Sequence, residues 1–139
     1  MIQLARCAAH RASLDLQACV AYDALAGDAA APERAYAQFL TGQWNGLNAT
    51  LLPEQYRSAL AANDTSAWLA SVNSPLSRLI AAAALLQSER LTPSGIALAV
   101  ETASAQGWRR PLLAWLGVQA QRARASGDTQ AWAQIQRRM

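Results

Sequence analysis

Lysine is missing from this sequence, and phenylalanine and histidine each occur once. The first absence excludes Schiff-base chemistry and a phosphate-loop lysine. The single His10 and the two cysteines fall short of the roughly four Cys, His or carboxylate ligands of a structural zinc site, and no second cluster supplies the rest. There is no Gly-rich phosphate loop, no Gly-x-Ser-x-Gly elbow and no Glu-x-x-His pair. The nine carboxylates are scattered, without the paired spacing of general acid–base work. No run approaches the roughly 20 apolar residues of a membrane span. β-branched residues are scarce, which argues against sheet. Composition therefore points to no enzyme, no cofactor and no metal.

Alanine dominates what is present. It loses no side-chain entropy in a helix and lets neighbouring helices approach closely. With 139 residues, 53% of them hydrophobic, the chain is long enough for one domain with its own core. The expected fold is all-α, built from short helices in antiparallel hairpins.

Punctuation places the helices. The first is expected over 2–11, and Ser13 caps a second over 14–26, closed by Gly27. Pro32 opens a third over 33–46, with Tyr36, Phe39 and Leu40 on one face and Trp44 at its edge. A short helix from Pro53 to Ala62 places Leu52, Tyr56 and Leu60 in register, and Asp64 caps a turn carrying Trp68 and Leu69. Ser74 and Pro75 start a helix to Arg90 that is apolar all round from Leu79 to Leu86, which marks it as buried. Thr92 and Pro93 start a helix over 94–106, closed by Gly107. Pro111 starts one to Ser126, and Asp128 caps the last, over 129–138. Residues 1–72 read as irregular helices and 73–139 as two helix pairs, within one domain.

The last pair resembles a tetratricopeptide repeat (TPR): Leu116-Gly117, then Ala120, a Gly127-Asp128 turn, and Ala131 or Ala133. Over residues 75–138 the resemblance implies a right-handed array whose small residues allow close packing and whose groove binds a partner segment. The spacing from Leu116-Gly117 to the turn is about three residues longer than that family's pattern, and the 75–106 pair has no Leu-Gly. An irregular helical bundle is the other architecture compatible with the pattern.

Cys7 and Cys19 flank Ser13 symmetrically. A tight turn there brings them opposite each other for a disulfide; one continuous helix holds them about 18 Å apart. Two buried free thiols are the expected state. Met1 to Cys7 is too short and polar for a signal peptide, so a native Met1 implies the cytoplasm, and a removed leader implies the periplasm.

The basic charge is uneven. Beyond Ala105 stand Arg109, Arg110, Arg122, Arg124, Arg137 and Arg138 against one acid, Asp128. Three of the five tryptophans, Trp108, Trp115 and Trp132, share that region. Trp and Arg are enriched at interaction hot spots. The expected function is a non-enzymatic protein-interaction module, a bacterial adaptor, chaperone or assembly factor, with Trp108, Arg109, Arg110, Trp115 and Arg122 contacting the protein partner. Nucleic-acid binding through the same arginines is the alternative, disfavoured because they form no dense run. A periplasmic or envelope-associated helical domain is the third reading.

Overall fold

A computed structural model describes residues 2–14 and 31–139. Seven α-helices lie within them: α1 (Ile2–Arg11), α2 (Ala31–Leu40), α3 (Thr65–Ser71), α4 (Pro75–Gln87), α5 (Pro93–Gln106), α6 (Arg109–Ala125) and α7 (Thr129–Arg138). Three 3₁₀ turns, Ala49–Leu51, Glu54–Tyr56 and Ala59–Ala61, join α2 to α3. Among the described residues there is no strand. The fold is all-α, as expected from composition.

The core forms around α4. Every residue from Leu79 to Leu85 is buried, including four consecutive alanines on all sides of the helix. Helices α1, α2, α3 and α5 all pack against it. From α4 onward consecutive helices contact each other, and the short links between them turn the chain back on itself.

The expected cap residues act as read. The side chains of Asp64, Ser74, Thr92 and Asp128 each accept from the backbone N–H three residues on, opening α3, α4, α5 and α7. Pro75 and Pro93 stand in the first turns of their helices, where no N–H is needed.

Helix ends follow one device used four times. The backbone is left-handed at Gly42, Glu89, Gly107 and Gly127. In each case the next residue's N–H reaches a carbonyl five residues back: Gln43 to Gln38, Arg90 to Leu85, Trp108 to Ala103 and Asp128 to Ala123. Two expected boundaries are corrected by it. Helix α2 stops at Leu40 instead of residue 46, and α4 stops at Gln87 instead of Arg90. Past Gly42 the chain doubles back. Trp44, expected at a helix edge, is buried, and its Nε1–H donates to the Phe39 carbonyl at 2.9 Å.

The segment 53–62 is also corrected: it forms 3₁₀ turns and no continuous helix. Leu52, before Pro53, is extended, as a residue preceding proline prefers. Side-chain polar contacts, local and long-range, then hold the turns. Arg57 Nε donates to the Leu52 carbonyl at 2.9 Å, Tyr56 Oη to the Ser77 carbonyl at 3.3 Å, and Trp68 Nε1 to Ser58 Oγ at 2.8 Å. Tyr36, Tyr56, Phe39 and Trp44 stack in one column with centroid spacings of 5.9, 5.0 and 5.1 Å, and the Arg90 guanidinium lies 4.8 Å above the Trp44 ring. Burial pushes the Tyr36 and Tyr56 phenols up, so both stay neutral.

Leu14, the expected first residue of the second helix, is left-handed. The rest of that helix, with Cys19 and Gly27, lies outside the described residues.

Two glycines make opposite predictions. A Cβ on Gly42 would stand 2.5 Å from the Gln87 carbonyl carbon, which is backbone and cannot swing away. A Cβ on Gly117 would meet nothing within 4 Å. In urea denaturation Gly42→Ala is expected to lower stability by about 2–4 kcal/mol. Gly117→Ala is expected to raise it by up to about 1 kcal/mol, because alanine is the better helix former. Equal effects would contradict this packing.

Candidate functional site

Helix α6 carries all five residues singled out in the sequence, counting its N-cap Trp108. The structure divides them into three environments.

Trp115 belongs to the core. Its ring is 0% exposed, and Nε1–H donates to the Ala12 carbonyl at 3.1 Å. That bond ties α6 to the turn after α1, across 103 positions of sequence. A buried indole with its one donor satisfied cannot meet a partner, so the contact role expected for Trp115 is corrected to a structural one.

Trp108, Arg109 and Arg110 lie at the opposite end of α6 from Arg122. Trp108 is half-buried against the core and caps α6 without a side-chain hydrogen bond. Arg109 and Arg110 are exposed. They occupy the first turn of α6, which contains no acid. Two cations therefore sit at the positive end of the helix dipole, a placement that electrostatics disfavours. Where a chain breaks such a local rule without a gain inside its own fold, function is a common reason.

Arg122 lies about 20 Å further along α6. It bounds a groove of about 560 Å³ between α5, α6 and α7. Pro93, Ala123 and Ala131 supply its accessible apolar wall, backed by the buried Ile96 and Ile135, and Arg122 and Arg138 are its charged side chains. No carboxylate lines it. Arg122 is held in place because its Nη2 donates to the Leu91 carbonyl at 3.2 Å. Arg138 faces Glu101 at 3.7 Å, with 46% and 68% of the two side chains exposed. An ion pair that long and that exposed contributes little. Arg138 and Ile135 are not among the contact residues expected from the sequence. Their signal was the pairing of an apolar residue with an arginine three positions on, common on any solvated helix.

Trp132 is the most exposed tryptophan among the described residues, at 37%. It borders a smaller cleft of about 300 Å³ with Arg124 and Thr129. The sequence reading placed it in the basic region but gave it no contact.

Cys7 is buried and disulfide-bonded. This corrects the expectation of a free thiol there. Its candidate partner Cys19 lies outside the described residues. Among the described residues no three His, Cys, Asp or Glu side chains gather to hold a metal ion, and no helix is long and apolar enough to cross a membrane.

Gly117, which the TPR resemblance assigns to close helix packing, faces open space instead. Compared with known proteins, the chain matches no family model, no curated protein and no solved structure.

Trp115→Phe removes the buried hydrogen bond from the indole to the Ala12 carbonyl. The expected loss is about 0.5–1.5 kcal/mol in urea denaturation. Unchanged stability would mean that the indole N–H contributes nothing. Protein purified without reductant, denatured and alkylated is expected to leave Cys7 unmodified in peptide mass spectrometry. Full alkylation of Cys7 would show it reduced.

Proposed function

We propose that the protein is a non-enzymatic protein-interaction module, an adaptor, chaperone or assembly factor, that holds a partner segment against α5, α6 and α7. The groove carries this reading. It is concave, walled by apolar residues, and bordered by two arginines with no carboxylate among its lining residues. Apolar surface supplies affinity and matched charge supplies orientation and encounter rate. Arg109 and Arg110 at the far end of α6 extend the basic character along the same helix and form its second contact region.

Nucleic-acid binding is the alternative. Against it, the arginines divide among separate places: the first turn of α6, the groove, and the Trp132 cleft. A phosphate backbone asks for a continuous basic track. The disulfide at Cys7 favours an oxidising compartment, and thus the periplasmic or envelope version of the module.

The test immobilises the full chain and two variants, Arg122→Glu with Arg138→Glu, and Arg109→Ala with Arg110→Ala, and exposes each to lysate at physiological salt. One protein retained stoichiometrically by the unaltered chain and at least tenfold less by the groove variant is the expected result. Retention of nucleic acid alone, falling steeply with salt, would favour the alternative. Retention unaffected by either variant would remove both regions from the interface.

A further inference from the structure

We infer that the groove between α5, α6 and α7 takes a short acidic and apolar peptide segment, whose carboxylate displaces Glu101 from Arg138. The inference rests on the interaction-module reading and gives its partner a chemistry.

Size sets the first bound. About 560 Å³ lies inside the range of ligand sites, roughly 300–1,000 Å³. It accommodates a few residues of an anchoring segment. Charge sets the second. The groove's two charged side chains are both arginine. A second copy of this chain would bring the same arginines to the same face, and like charges across a symmetric contact repel. Nucleic acid meets the cations but leaves the accessible apolar lining, Pro93, Ala123 and Ala131, without an apolar partner. A segment carrying both a carboxylate and an aliphatic side chain satisfies each part of the wall.

The two arginines have unequal roles. Arg122 is oriented by its bond to the Leu91 carbonyl, so its guanidinium is positioned before any ligand arrives. Among the described residues Arg138 pairs with Glu101, at 3.7 Å and largely in solvent. A ligand carboxylate in hydrogen-bond contact with Arg138 would be closer than Glu101 is. Glu101 is then an internal competitor that occupies Arg138 until the ligand's carboxylate replaces it. Arg138 and Glu101 are exposed, so replacing either leaves the core untouched.

This arrangement makes opposed predictions for the two partners of one ion pair. The probe is a fluorescein-labelled nine-residue peptide with a Glu-Leu-Leu-Glu centre, and its control has glutamine for each glutamate. Fluorescence anisotropy with the full chain at physiological salt is expected to show saturable binding of the acidic peptide, at least tenfold tighter than the control. Arg138→Gln and Arg122→Gln should each weaken it about fivefold or more, while Glu101→Gln should tighten it two- to threefold. An ion pair that only supported the fold would give no gain with Glu101→Gln. Equal affinity for the two peptides, no saturable binding, or loss of affinity with Glu101→Gln would overturn the inference, as would stronger binding of an oligothymidylate of equal charge. If the peptide fails while the chain still retains a protein from lysate, the groove's occupant is wrong and the module reading stands. If nothing is retained either, both fall.

Discussion

The architecture depends on one constraint: α4 must be covered on every side. A helix whose residues 79–85 are all buried cannot rest on a single neighbour. Its four consecutive alanines project little, so other helices approach closely around it. Helices α1, α2, α3 and α5 do so. The closest approach fixed by a backbone is at Gly42, whose missing side chain admits the C-terminal end of α4.

Short helices leave a large share of their terminal carbonyls without intrahelical partners. Here side chains from distant elements take them up. Arg78 on α4 is the densest case. Its Nε donates to the Val72 carbonyl at 3.1 Å, Nη2 to the Ala70 carbonyl at 3.3 Å, and Nη1 to Thr102 Oγ1 at 3.2 Å. One guanidinium thus closes the end of α3 and joins α4 to α5, with its charge at the favourable end of the α3 dipole. Thr65 Oγ1 donates to the Arg90 carbonyl at 2.9 Å, and Ser66 hydrogen-bonds the Thr92 hydroxyl, tying α3 to the start of α5. Trp115 and Arg122 likewise engage the Ala12 and Leu91 carbonyls, in the links after α1 and before α5. Arginine suits this work because its planar fork presents several donors in fixed directions.

The basic residues therefore serve two ends. Arg78, Arg57 and Arg90 are engaged within the fold, on carbonyls or on the Trp44 ring. The later ones, from Arg109 onward, collect around α6 and α7. Arg122 belongs to both groups, since it braces the 88–92 link and borders the groove. That double role gives the groove a charge whose position is set by the fold itself.

Local chemistry alone determined the helical class, the starts of α3, α4, α5 and α7, and the burial of α4. Each rests on neighbours in sequence: a hydroxyl or carboxylate three residues before an N–H, a proline in a first turn, an uninterrupted apolar run. Helix ends were legible where glycine marked them, at Gly107 and Gly127. They were not legible at Glu89, because nothing in a glutamate announces a left-handed backbone, nor at Gly42, because its role depends on Gln87, far away in sequence. The 3₁₀ turns before α3 were hidden for the same reason, being held by Ser77 and Trp68. At the candidate site, composition located the basic region. Only tertiary structure decided that Trp115 is core, that Arg109 and Arg122 lie about 20 Å apart on one helix, and that Arg138 joins Arg122 across the groove. Burial and juxtaposition are properties of pairs of distant segments, and no local pattern encodes which segment will cover which.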